Sequence, residues 1–434
     1  RELRSLTQGQ LAKLLKVDSS YISTLERGQR NLSMKTLLNI ANALNTSVTS
    51  LVMESKYEQT KNTEIMKYTP GLMMAKEKFW RGKKWYHQRF DGSPYLIHMI
   101  AEAQITTHRD SKYGLFFDRH FCFFEDGKAD WYMEMSDIER VVRLILELSK
   151  THGDFSKKLM KEYQPLDEAF YAECENIGSL NLGKLSNSEL INLHDNYVQR
   201  ILDRNSSSSI IDGFALGTDR MLEDRIRKAY DANPTLAKSM QFSEVFSAVT
   251  TATHSSFVRD AELDLFQLIL KIRKNKSDKK KLIKEYQSKY FWIRNNYVDA
   301  HVLNVTYFEE EIARIESSGL DIEEQVRHIS VLPADSKKKK ESLLKELSLD
   351  KETLFLLTMT EDFTQWQDER KKATMFTAHY ATLLLDEIAR RIDIPADLLK
   401  YMSPREVSRV FIDTPPVSLL EERLKGCVYY WDDE

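Results

Sequence analysis

Helix-start signals recur along almost the whole chain, and between them apolar residues return every three or four positions. That combination confines the fold to packed α-helices. Ser186 stands three residues before Glu189, ahead of a stripe at Leu190, Leu193, Tyr197 and Ile201. Ser403-Pro404-Arg405-Glu406 sets a cap, a first-turn proline and a reciprocating carboxylate in order, and Ser136 and Glu139 precede VVRLILEL in the same way. In each case hydroxyl and carboxylate satisfy backbone amides that a helix start leaves without partners. Only 14 Gly and 9 Pro among 434 residues argue against a loop-rich all-β fold. The exception to helix is HFCFFEDGKADWYM (120–133), where two aromatic-rich runs flank Asp126-Gly127, the pair a tight hairpin needs for positive φ. The segments 205–209 and 337–340 read as solvated connections. No period of 20–50 residues repeats, which argues against a solenoid.

Charge divides the chain. Residues 1–55 carry seven Lys/Arg against four acids, a local +3, whereas the whole chain is −3. The remainder therefore carries −6. A small basic head on a larger acidic body is the pattern of a polyanion-binding module attached to something else. Cys122, Cys174 and Cys427 form no CxxC pair and no disulfide framework, which fits a reducing cytoplasm and excludes a cysteine-based zinc site. No apolar run approaches the 18 residues of a membrane span. The chain starts at Arg1 with no signal-like segment and reads as a fragment. Its last residues point the same way: a strand-like VYYW followed by Asp432-Asp433-Glu434 has no obvious pairing partner, as if the polypeptide continued.

The first 52 residues hold five short helical patterns. Thr7-x-x-Gln10 caps LAKLL, Asp18 is placed to cap SSYISTLERG, Ser33 caps MKTLLNIANAL, and Ser47 precedes a last turn. Leu6, Leu11, Leu14, Val17, Ile22, Leu25, Leu37, Ile40, Leu44, Val48 and Leu51 would fill one core, with Ala12 small where two helices cross. The pieces T-Q-x-x-L-A, I-S-x-L-E-R-G and a following helix ending in A-L-N make this string resemble the lambda-repressor/Cro helix-turn-helix domains (the XRE family) over nearly its whole length.

That resemblance implies double-stranded DNA as partner. The helix 18–27 would enter the major groove with its N-terminal residues toward base edges. Ser19, Ser20 and Thr24 match the base-reading positions, and their hydroxyls read softly because each donates or accepts. Gln8 and Arg27 match phosphate-contacting positions, while Tyr21 either reaches a phosphate or stacks on a sugar. Glu26 matches a position that pairs with an arginine, and Arg1 stands at that spacing. One departure is Lys16, where the family usually has glycine in the turn; a lysine held at positive φ costs about 1 kcal/mol. One recognition helix reads few base pairs, so a homodimer is expected, with amphipathic helices such as 376–392 available either for its interface or, the reading favoured for any single helix, for the internal core.

Beyond a polar linker (55–65), residues 66–434 show no GxGxxG, no GxxxxGK[ST] and no metal spacing among ten histidines. Thr253-His254-Ser255 lacks the glycines of a phosphohistidine loop. The strings 248–266, 284–312 and 379–407 resemble the α-helical linker region of phosphoenolpyruvate-utilising enzymes related to phosphoenolpyruvate synthase. In that family the chemistry resides in an ATP-grasp domain and in a mobile phosphohistidine domain, and neither is among these residues. Tyr290, Trp292, Tyr297 and Tyr307 read as helix core before a ligand-stacking site, Glu309 to Glu311 as a solvated face before paired catalytic carboxylates, and the lysine-rich 271–284 as a solvated helix end before a contact to DNA phosphates. The expected fold class is mainly α: a five-helix lambda-repressor-like DNA-binding domain (1–54), then a large α-helical domain with a small β-hairpin. The expected function is sequence-specific transcriptional regulation with a helical sensing or coupling module. The alternative is a fragment of a phosphotransferase-like enzyme whose catalytic mobile domain lies beyond Glu434. No catalytic residue, cofactor or metal is implied within 1–434, so whether the full-length protein is an enzyme stays open.

Overall fold

The computed structural model describes residues 7–15, 17–18, 21–22, 39–40, 43, 84–105, 113, 117–151, 153–208 and 210–432. Among these the chain is mainly helical, with one antiparallel sheet. Helix α1 (Gln8–Leu15) is followed by strand β1 (Trp85–Asp91), helix α2 (Pro94–Ile105) and strands β2 (Arg119–Glu125) and β3 (Lys128–Glu134). Then come α3 (Met135–Thr151), α4 (Phe155–Ser179), α5 (Asn187–Ser208), α6 (Ile210–Asp231) and α7 (Phe242–Thr250). The chain continues through α8 (Phe257–Lys274), α9 (Lys279–Tyr290), α10 (Val305–Ser317), α11 (Ile322–Leu347), the 42-residue α12 (Lys351–Ile392), α13 (Val417–Lys425) and strand β4 (Cys427–Asp432).

Two compact units result. One gathers residues 1–61, 217–253 and 332–361; the other gathers 62–216, 254–331 and 362–434. In the first, Arg227 stacks on the Phe242 ring at 3.8 Å. Lys340, buried on α11, reaches Glu361 at 2.8 Å, and Glu361 also accepts the Thr253 amide at 3.1 Å.

The second unit holds the sheet, in order β1-β3-β2-β4. Asp126 (φ 48°) and Gly127 (φ 72°) close the β2–β3 hairpin in the left-handed conformation that the Asp-Gly pair foretells. Alternation sends Cys122, Phe124, Ala129 and Trp431 to one face, against Ile97, Ala101 and Ile105 of α2. Trp85, Phe121, Phe123 and Tyr132 pack on the other. A larger core joins α4, α5 and the later turns of α12 through Phe170, Tyr197, Leu384 and Ile388. A third joins α8, α9 and α10 around Ile283, Trp292 and Phe308.

Several expectations need correction. Helix α3 begins at Met135, so Ser136 lies inside it and its hydroxyl donates to Glu134, not to a cap position. The segment 205–208 is the last turn of α5, with Asn205 buried, and 337–340 lies inside the continuous α11. The C-terminal strand has a partner: β4 pairs with β2 from Arg119↔Asp432 to Phe124↔Cys427. Ala378, Ala381, Leu384 and Leu385 bury the apolar face of 376–392 in the core, the favoured of its two expected roles, and not in a dimer interface. The capping boxes at Ser186 and Ser403 form as read. Tyr290 and Trp292 are core, as expected. The linker 55–65 lies outside the described residues.

A side chain at position 127 must adopt positive φ, costing roughly 1–2 kcal/mol. Gly127→Ala should therefore lower the urea midpoint by a corresponding amount with unchanged slope. An unaltered midpoint would contradict the turn.

Candidate nucleic-acid interface

Helix α1 starts where its side chains compete best for the free amides. The Thr7 N–H donates to Gln10 Oε1 at 2.7 Å, and the Gln10 N–H donates to Thr7 Oγ1 at 3.2 Å, the reciprocal box that the sequence spacing requires. Gln8 is the first residue of the helix and half-exposed. This end carries the positive pole of the helix, which favours an anion. Leu11 and Ala12 face inward and meet Ile22 and Ile40, so a small apolar core forms from residues far apart in this segment. The chain leaves α1 through a Val17 N–H to Ala12 C=O bond at 3.0 Å and turns at Asp18, whose carbonyl accepts the Tyr21 N–H at 3.0 Å. Tyr21 is half-buried beside that core.

Two expected core positions are displaced. Leu14 is 56% exposed and Val17 37% exposed, because α1 shows Leu11 and Ala12, not Leu14, to its neighbours. Of the six site residues, Gln8 opens α1 and Tyr21 packs against this core, whereas Ser19, Ser20, Thr24 and Arg27 lie outside the described residues. So do Lys16, the Arg1 and Glu26 pair, and the helices that would complete the count of five.

Among the described residues no group of His, Cys, Asp and Glu could hold a metal ion, and no helix is long and apolar enough to cross a membrane. Glu309 and Glu311 are half-exposed and Glu310 exposed, with Glu311 hydrogen-bonded to Arg314. The lysines of 271–284 are exposed at the end of α8 and the start of α9, with Lys281 3.9 Å from Glu285.

Residues 1–51 match the helix-turn-helix family model. The N-terminal segment is thus a helix-turn-helix domain of the XRE type. Control protein C.SmaI of Serratia marcescens is 42% identical over 52 residues, which is 12% of this chain and 62% of that protein. The chain therefore spans under two thirds of the curated relative it matches. No solved structure matches. Both matches fall in the first fifty or so residues, so the resemblance to phosphoenolpyruvate-utilising enzymes rests on its sequence strings alone.

Removing the Thr7 hydroxyl should cost about 1 kcal/mol at the start of α1. In the full chain, Thr7→Ala should accelerate hydrogen exchange of the Gln10 and Leu11 amides about fivefold while the β2 and β3 amides keep their protection. Equal acceleration in the sheet, or none at Gln10, would contradict a local cap.

Proposed function

We propose that this protein is a sequence-specific DNA-binding transcriptional regulator. The observation that carries the reading is the helix-turn-helix match over residues 1–51, in a segment with a local charge of +3 on a chain that is −3 as a whole. In this reading Gln8 and Arg27 hold phosphates and set register, and Tyr21 reaches a phosphate or a sugar. Ser19, Ser20 and Thr24 sample base edges in the major groove. Three hydroxyls discriminate weakly, so two copies on half-sites about one helical turn apart supply the specificity that one copy lacks. Control protein C.SmaI, by its name a control protein, supports a regulatory role over the shared segment.

The body from residue 66 onward is then a sensing or coupling module, and its strings 284–312 and 379–407 support kinship with the helical linker of phosphoenolpyruvate-utilising enzymes. This reading places the protein in the cytoplasm with its DNA.

Each neutralised phosphate contributes about −0.9 to the slope of log affinity against log salt. Fluorescence anisotropy of the full chain on duplex DNA should give a steep negative slope. Arg27→Ala should make it shallower by about one, and Thr24→Ala should leave it unchanged while flattening the preference among sequences. Binding that ignores salt, or an Arg27→Ala slope equal to that of wild type, would overturn the assignment.

A further inference from the structure

Within the second unit a cavity of about 290 Å³ opens between one face of the sheet, α2, the first turns of α6 and the middle of α12. At about 30 Å³ per water-sized group it holds roughly ten such groups, the size of a small heterocycle. Its walls are aromatic: Phe90, Trp131 and Tyr297 line it, with Phe90 5.7 Å from Tyr297 and 6.2 Å from Trp131 between ring centroids. Tyr297 is fixed against the sheet edge, since its carbonyl accepts the Ser93 N–H at 2.9 Å and it bridges to Gly92.

Gln104 carries the chemistry. It stands near the end of α2 with 0% exposure, lines the cavity, and neither its carboxamide oxygen nor its nitrogen has a hydrogen-bond partner among the described residues. The Trp131 indole N–H beside the same space also has no partner among the described residues. Buried polar groups are ordinarily satisfied, so a donor and acceptor left open side by side mark a place kept for a complementary edge. A hydrocarbon would leave both atoms unpaired. The lining carries one more positive than negative charge: Arg370 is held by Asp212 through two bonds of 2.7 Å, and exposed Lys371 adds a second cation. That balance suits a neutral or singly anionic guest.

We propose that this cavity binds a small planar heterocycle with a lactam edge, an N–H beside a carbonyl, of the pyrimidine- or purine-base class. Gln104 pairs with that edge through its two amide atoms, the Trp131 indole donates to a further ring acceptor, and the aromatic walls sandwich the ring. The proposal requires nothing of the N-terminal domain, and its test does not involve DNA.

Isothermal titration calorimetry on the full chain, with uracil and xanthine as probes and benzoate and glucose as comparators, reads it directly. At least one lactam base should bind with quenching of tryptophan fluorescence, and both comparators should bind at least tenfold more weakly. Gln104→Leu should weaken the base about tenfold to hundredfold while raising the melting midpoint of the unliganded protein, because it removes an unpaired buried amide. If Gln104→Leu does not fold, Ala215→Phe, which fills the same space from α6, must abolish binding. The proposal is overturned by the absence of binding by both bases to folded protein. Equal affinity for benzoate or glucose, or a folded Ala215→Phe that still binds, would overturn it too.

Discussion

Charge drawn largely out of water at the middle of α12 sets the terms for the unit around it. Residues 362–392 bury Phe363, Trp366, Ala373, Leu384 and Ile388, and among them stands Arg370, its side chain 14% exposed. A guanidinium taken out of water must find a carboxylate in good geometry, and Asp212 of α6 supplies one through two bonds of 2.7 Å. Burial alone opposes that charge; Asp212 outweighs it and holds the Arg370 pKa above the usual guanidinium value. Arg204 of α5, only 2% exposed, repeats the arrangement with Asp167 of α4 at 2.7 Å and a bond to the Glu369 carbonyl, while Tyr163 and Phe170 cover its flat faces. Breaking either pair would strand a buried charge at a cost of roughly 3–5 kcal/mol. The two pairs thus fix how α4, α5 and the start of α6 lie along α12, and with them the polar wall of the cavity.

What was legible in the sequence is what acts over three or four residues. Thr7 with Gln10, Ser186 with Glu189 and Ser403 with Glu406 each close a box whose two halves are chain neighbours. Asp126-Gly127 closes a hairpin for the same reason. Ser136 misled because β3 runs into α3 without a loop, and Glu134 takes the hydroxyl that would have capped the helix. The lysines of 337–340 look like a solvated loop by composition, yet Lys340 turns inward to Glu361 and the helix passes through.

Long-range pairing was not legible. Strand β1 precedes its partner β3 by some forty residues, and β4 reaches β2 across about three hundred. No local pattern could name those neighbours. The cavity is the extreme case, since Gln104, Asp212 and Arg370 share no motif. Its one trace in the sequence is a carboxamide near the end of PYLIHMIAEAQI, a mostly apolar helix whose other polar residues, His98 and Glu102, pair with each other. In the N-terminal segment the reverse holds. There the resemblance named a domain and six site residues, and the structure adds the capping box and the core of Leu11, Ala12, Ile22 and Ile40 on which Gln8 and Tyr21 are mounted.

Reading of duplex DNA by the N-terminal domain is the central claim, and nuclease footprinting of the full chain on fragments of its own genome tests it most directly. The account predicts protection of two half-sites with centres about ten base pairs apart, related by a two-fold axis, and lost together as salt rises. Uniform protection without discrete sites, or none at concentrations where the protein is folded, would contradict it.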